Sequence, residues 1–224
     1  MNPNRTVQVI IVGAGGHGSE LHAYLRELCV QGSGIEFLGF IDDHRPRGAW
    51  GDTEVLGGLA CLEEFLGARV GELHYITAVG SNTLRRTFVE RLRRIDEQRL
   101  KPWTLQHPRA ITGHGVEFGA GTCLAPGSIV TTNARIGSHC ILNVNTSVSH
   151  DAVVGDYTNL NPGVVVAGNV EIGEGCYIGA GATLIDNVKI GEWSTIGAGA
   201  VVIGDIPPRV TAVGVPARVI KYHE

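Results

Sequence analysis

The chain has 224 residues, 43% apolar and 18% charged, which fits one large globular domain or two modest ones and excludes a disordered polymer. Its formal net charge of −4 supplies no basic face, so neither nucleic acid nor membrane insertion is expected. Thirty-two glycines against five Phe, five Tyr and three Trp, with no Gly-X-Y period, point to a backbone with many tight turns.

Met1 to Thr6 is too short and polar to begin a signal peptide, and the apolar run Val7–Val12 stops at once in glycines, so it neither targets nor spans. The five cysteines are odd in number and form no CxxC pair, which suits reduced thiols and a cytoplasmic location. Val7–Val12 reads as a buried strand, followed by a glycine cluster and an amphipathic stretch, Glu20–Leu28. Next come a strand, Phe37–Ile41, ending in Asp42-Asp43; a short helix, Cys61–Leu66; a strand, Leu73–Val79; and a basic amphipathic helix, Thr83–Ile95. Alternating strands and helices imply a small parallel α/β sheet, a Rossmann-like domain over residues 1–108. Lys101–Ala110, with Pro102 and Pro108, is the expected junction.

The second domain, residues 109–224, has a different grammar. From Val116 to Asp205 the chain divides without insertion into fifteen hexads. Position 3 is large and apolar in all fifteen, from Phe118 and Leu124 to Ile196 and Val202, and position 1 is small or β-branched. Residues two apart on a strand face one side, so both positions point inward. Position 6 is Gly, Asn or Asp in twelve hexads, the residues that tolerate left-handed backbone angles and so can turn a corner. Three hexads close an 18-residue triangle, and fifteen give five coils of a left-handed parallel β-helix. Ile206-Pro207-Pro208 is expected to end the coil, with a short terminal segment at Val219–His223.

These pieces together resemble the sialic-acid O-acetyltransferase family of hexapeptide-repeat sugar acyltransferases, and within it the bacterial nucleotide-aminosugar N-acetyltransferases of bacillosamine and perosamine type. The matching segments are Ile11–Gly18 (IVGAGGHG), Phe40–Asp43 (FIDD), Ala78–Arg86 (AVGSNTLRR), Asn145–Tyr157 (NTSVSHDAVVGDY) and Gly214–Ile220 (GVPARVI). The resemblance implies a homotrimer with acetyl-CoA lying in grooves between neighbouring β-helices. It implies His150 as general base, beside Asp151, acting on the amino group of a nucleotide-linked sugar, at C4 in this branch. For the cofactor it points to Asn159, Gly168, Ala180 and Ala198. For the nucleotide sugar it points to Gly15, Gly16, His17, Asp42, Asp43 and Gly80. Family members often carry histidine where this chain has Asn159.

An amine attacking a thioester must lose a proton, and histidine, with its pKa near working pH, suits the task; an adjacent carboxylate favours the imidazolium. Residues 18 apart stack on successive coils, so Gly168 lies one rise from His150, where a backbone N–H could meet the developing oxyanion. Ala180 and Ala198 are also 18 apart, as an extended pantetheine arm requires. Arg218 and Lys221 could meet CoA phosphates.

Other readings compete. Solvated corner positions account for His150 and Asp151 without chemistry, and small corner packing for both alanines. Gly13 to Gly18 satisfies G-x-G-x-x-G after a strand, which alone suggests an NAD-dependent oxidoreductase. The half-chain is short for a full NAD domain, however, and a UDP-sugar pyrophosphate would use the same device. A β-helical carbonic anhydrase needs histidines about five apart, whereas His114, His139 and His150 are spaced by 25 and 11, so no metal is expected. Sugar O-acetylation needs the same base, and a β-helix can also serve as an inert scaffold.

Overall fold

The computed structural model describes residues Thr6 to His223. Residues 1–5, part of the stretch read above as no signal peptide, and residue 224 lie outside the described residues. Two compact units are present, Met1–Trp103 and Thr104–Glu224. The division falls within the Lys101–Ala110 junction, five residues before the 108/109 boundary read from sequence, because Leu105 already pairs with Cys123 as a rung of the second unit.

The first unit is a six-stranded sheet flanked by helices. Its elements are β1 (Val7–Val12), α1 (Gly16–Val30), β2 (Ile35–Ile41), β3 (Gly48–Trp50), β4 (Thr53–Gly57), α2 (Leu62–Gly67), β5 (Leu73–Thr77), α3 (Asn82–Asp96) and β6 (Leu100–Pro102). The order is β3-β4-β2-β1-β5-β6. All pairings are parallel except the β3–β4 edge hairpin, which the expectation of a wholly parallel sheet did not contain. Gly51 and Asp52 turn that hairpin with Gly51 at φ +61, the glycine-first geometry of a two-residue turn. Central strand β1 buries Val9 to Val12 at no more than 1% exposure, as a strand covered on both faces should. Leu21 and Leu25, one helical turn apart, close that core from α1.

The second unit is a three-faced parallel β-helix. The first face runs from Leu105–Gln106 through Cys123–Leu124, Ile141–Leu142, Asn159–Leu160 and Tyr177–Ile178 to Thr195–Ile196, the second from Ile111–Thr112 to Val201–Val202, the third from Glu117–Phe118 to Lys189–Ile190. Up to the last coil each rung pairs with the one 18 residues on, for example Leu142 with Leu160 and Leu160 with Ile178. Leu124 to Val202 at position 3 are all 3% exposed or less, while Phe118, nearer the open end, is half-buried. Burying an aliphatic side chain contributes about 1.5–3 kcal/mol, so this column is the main stabilising term of the unit.

The coil also extends beyond the hexads read from sequence. Rungs at 105–106 and 111–112 precede Val116, with Gln106 and Thr112 at position 3 breaking the apolar signal. After Asp205 the coil continues: Ile206 bridges Ile190, and Val210–Val213 stacks in parallel on Thr195–Ile196. Thr195 pairs with Thr211, so this last coil is two residues short, and Arg218–Tyr222 then returns antiparallel.

The corners carry positive φ at each position 6 from Gly121 to Gly199. This includes His139 (+56), Tyr157 (+58) and Trp193 (+55), which lie outside the Gly/Asn/Asp rule. A side chain there costs about 1–2 kcal/mol. Stacking offsets it: the rings of His139 and Tyr157 lie 5.4 Å apart and 9° from parallel, and Trp193 covers Gly175, where a Cβ would fall 2.4 Å from the indole.

Inside the first face the position-1 residues form a polar ladder. Thr122 and Thr158 hydroxyls each donate to a carbonyl 15 residues on (2.7 and 3.0 Å) and accept from the N–H 18 residues on (3.1 and 3.2 Å). Between them Cys140 and Cys176 donate thiol bonds to Gly155 and Gly191 carbonyls. Burial pushes the Cys176 thiol up to about 11, so it is an inert structural donor at neutral pH.

Candidate active site

The corner between the second and third faces holds the histidine pair. His150 Nδ1 lies 2.9 Å from Asp151 Oδ2, with the two side chains 56% and 48% exposed. Asp151 sits in the left-handed region (φ +59), which aims its side chain at its neighbour, and Asn133, one coil below, donates to its other oxygen at 3.3 Å. The bonds from His150 and then Asn133 hold the Asp151 carboxyl below the usual carboxylate range. It is therefore ionised at neutral pH and can only accept, so Nδ1 carries the hydrogen and Nε2 is left to take a proton.

Gly168 is buried directly against that imidazole. A Cβ on it would lie 2.6 Å from Cε1 and 2.7 Å from Nε2, so only glycine leaves the ring in place. The structure thus brings His150, Asp151 and Gly168 together, as the 18-residue spacing requires. It differs in one respect: the Gly168 N–H, expected to be open, donates to Asp186 Oδ1 at 2.9 Å. The aspartate is the next member of the 150–168–186 column, and Asn133 lies 18 residues before Asp151; adding 18 once more in either direction would have found both.

The residues assigned to acetyl-CoA lie elsewhere on the prism. Ala180 and Ala198 stack on the corner between the first and second faces, both exposed. Beside them Gly163, Gly181 and Gly199 (φ +66 to +71) have no atom within 4 Å of a would-be Cβ, which leaves a smooth open strip. Asn159 is on the outer side of the first face, 3% exposed, so its side chain is covered rather than offered to a ligand. Arg218 and Lys221 are exposed on the terminal strand.

In the α/β unit the glycines of the loop divide into two groups. Gly13 takes φ +110, and a Cβ at Gly18 would lie 2.2 Å from the Gly13 carbonyl, so the fold itself demands both. Gly15, Gly16 and Gly80 are exposed with nothing near a would-be Cβ; the chain gives them no internal reason to be glycine. Gly15 caps α1 with no side-chain bond, and the first turn has no acidic residue, so exposed Gly15 and Gly16 stand at the positive end of the helix with no internal side-chain cap.

His17 Nδ1 lies 3.0 Å from Glu20 Oε2, and its Nε2 is buried with no hydrogen-bond partner among the described residues. The His17 bond holds Glu20 below the usual carboxylate range, outweighing burial. Sequence reading passed over Glu20, although the i, i+3 spacing on a helix signals the pair.

Asp42 and Asp43 are both engaged within the chain. Asp42 accepts from the N–H groups of Ala14 (2.7 Å), His44 (2.8 Å) and Arg45 (3.1 Å). Burial would raise its carboxyl, but these three bonds lower it. Asp43 accepts from Leu59 N–H at 2.7 Å and pairs with Arg91 at 3.0 Å. Their carboxylates tie the loop, the 42–45 turn and α3 together. Among the described residues no three His, Cys, Asp or Glu side chains group to hold a metal ion, and no helix is long and apolar enough to cross a membrane.

Comparison with known proteins agrees with this architecture. Residues 8–92 match the PglD N-terminal domain, and residues 169–204 the bacterial transferase hexapeptide (six repeats). No curated protein sequence matches the chain. Among solved structures, a variant of perosamine N-acetyltransferase from Caulobacter crescentus, in complex with CoA and GDP-perosamine, is 29% identical over 95% of this chain and 96% of that one, with a TM-score of 0.85. WeeI from Acinetobacter baumannii AYE is 29% identical over 96% and 100%, with a TM-score of 0.85. The acetyltransferase domain of PglB from Neisseria gonorrhoeae FA1090, in complex with acetyl coenzyme A, is 28% identical over 96% and 100%, with a TM-score of 0.82.

A Rossmann-like α/β unit followed by a left-handed parallel β-helix is the architecture that this chain shares with the hexapeptide-repeat acetyltransferases. The chain is similar over nearly its whole length to sugar N-acetyltransferases of that type, among them the perosamine enzyme, and its two parts match the PglD N-terminal domain and the hexapeptide repeat.

Proposed function

We propose that this chain transfers the acetyl group of acetyl-CoA to the amino group, at C4, of a nucleotide-linked amino sugar, with His150 as general base. The observation that carries the reading is the His150–Asp151 pair lying against Gly168. The amine nitrogen attacks the thioester carbonyl carbon and the C–N bond forms; His150 Nε2 takes the amine proton while Asp151 steadies the imidazolium. As the tetrahedral intermediate collapses the C–S bond breaks, and CoA leaves as the thiolate and takes up a proton. The route uses no acyl-enzyme, in keeping with a His150 column that holds no cysteine. The relatives solved with CoA, acetyl coenzyme A or GDP-perosamine support the cofactor and the substrate class.

The nucleotide sugar is assigned to the α/β unit. The pyrophosphate meets the open N-terminus of α1, where Gly15, Gly16 and Gly80 leave room for close approach. His17 contributes Nε2, and Asp42 and Asp43 shape the loop by the bonds described above.

The working form is a cytoplasmic homotrimer. On the second face the outward column includes Ile111, Ile129 and Val165, 38–61% exposed, whereas the third face shows Glu117, Arg135, Glu171 and Lys189. An apolar face of that kind suits burial against copies of the same chain. Its two edges carry His150 and the Ala180–Ala198 strip, so each groove takes the base from one copy and the cofactor strip from the next.

The test is CoA release from acetyl-CoA with UDP-, GDP- and dTDP-linked 4-amino sugars, run beside a sialic-acid acceptor. Turnover with a 4-amino sugar, lost in His150→Ala, is expected. Turnover only on the hydroxyl acceptor, or tight NADH binding with no nucleotide-sugar binding, would overturn the reading.

A further inference from the structure

We infer that Asp186 is a latch on the oxyanion donor: its carboxylate holds the Gly168 N–H at rest and must leave that N–H when the acetyl thioester arrives. The inference rests on the acyl-transfer reading above and names a positioning residue that its mechanism lacks.

His150, Gly168 and Asp186 occupy the fifth hexad position in three successive coils. The imidazole lies against one side of Gly168, and Asp186 Oδ1 takes its N–H at 2.9 Å. That is an anionic oxygen at the distance an oxyanion-hole donor needs, roughly 2.7–3.1 Å. The carboxylate therefore marks where the thioester oxygen would bind. One N–H carries one hydrogen, so Asp186 and the thioester oxygen compete for it. Asp186 is exposed and followed by Asn187 in the left-handed corner conformation (φ +64), so a side-chain rotation into water releases the donor with the backbone in place.

A second aspartate separates this role from ordinary corner capping. Asp156 Oδ1 accepts the Ser138 N–H at 2.7 Å in the same hexad position on another corner. Its column, Ala120, Ser138, Asp156, Glu174 and Glu192, contains no histidine. Asp156 thus has the geometry without the chemistry.

The discriminating measurement is calorimetric affinity for acetyl-CoA and for CoA, which lacks the carbonyl, on the full-length protein. Losing a charged hydrogen-bond competitor is expected to tighten acetyl-CoA about tenfold in Asp186→Ala, with CoA unchanged. Asp186→Asn, a neutral and weaker acceptor, falls between. Asp156→Ala moves neither affinity and lowers only the melting temperature. An unchanged ratio of the two affinities in a folded Asp186→Ala protein overturns the latch. If that variant does not fold, Asp186→Asn decides by the same ratio. Binding of neither ligand by the unsubstituted protein overturns the acyl-transfer reading, and the latch with it. Acetyl-CoA binding with no turnover on any sugar leaves the ratio as the deciding measure of the latch alone.

Discussion

Two close histidine–carboxylate pairs, His17–Glu20 in the α/β unit and His150–Asp151 in the β-helix, share chemistry but not surroundings. His150–Asp151 is half open to solvent on a β-helix corner, with the ring pressed on the glycine of the next coil. The His17 side chain is 17% exposed on the first turn of α1, with a buried, unpartnered Nε2. In both, the carboxylate takes Nδ1–H and leaves Nε2 as an acceptor. Solvent access and an adjacent backbone N–H suit His150 to the proton transfer proposed for it, while the enclosed Nε2 of His17 suits a holding role rather than proton exchange with solvent. Residue type does not separate a base from a clamp; the neighbours of the second nitrogen do.

Substitution can break that comparison. The largest effect is expected for His150→Ala, a fall in turnover of roughly 10²–10⁴ with little change in melting temperature, read by CoA release and thermal melts. The corresponding His17→Ala should weaken nucleotide-sugar binding and leave acetyl-CoA binding intact; equal losses in both variants would erase the distinction.

Next in size is Gly168→Ala. Its Cβ would first meet the movable imidazole, so the fold should survive while the displaced base loses at least about tenfold in kcat, within the usual range for a misplaced acid–base group. Wild-type kcat in a folded Gly168→Ala protein would mean that the ring is not used where it stands.

The loop glycines offer a finer test. Gly18→Ala puts a methyl 2.2 Å from the Gly13 carbonyl and should destabilise the α/β unit by about 1–3 kcal/mol. Gly16→Ala meets nothing and should leave the melting temperature unchanged while weakening nucleotide-sugar affinity, measured by calorimetry.

The smallest effect concerns pH. Asp42 and Glu20 have carboxyls lowered in the fold, so their contributions are present above the unfolded values near 3.8 and 4.5 and are lost as pH falls through the lower folded values. Stability should therefore be flat with respect to these groups from neutral pH to about 5 and decline below it. Asp42→Asn should flatten part of that decline in acid melts.

Much of the β-helix was legible because its period is a geometric demand: an inward position recurs every six residues, and Leu124 to Val202 obey it. The first two rungs were hidden where Gln106 and Thr112 hold inward positions near an open end that does not enforce apolarity. The rule for corners failed at His139, Tyr157 and Trp193 because aromatic stacking between coils, invisible in one hexad, offsets the local strain. In the α/β unit the strands and helices were readable from runs and amphipathicity, but β3–β4 rests on a Gly51-Asp52 turn with little apolar pattern around it. His150 was singled out by resemblance. Asp186 was not, because an aspartate at a corner has a sufficient structural explanation until its hydrogen bond is seen.

The short last coil has a consequence for the solution behaviour of the protein. A parallel stack that kept its 18-residue pitch would end in a flat, unsatisfied rim, ready to accept another molecule end to end and grow as a fibre. Here the pitch shrinks by two residues and the final strand reverses direction, carrying Arg218 and Lys221 along the outermost edge. On that face a neighbouring chain arriving in parallel register meets a strand of opposite polarity bearing two cations, so the first face offers no continuation of its own pitch.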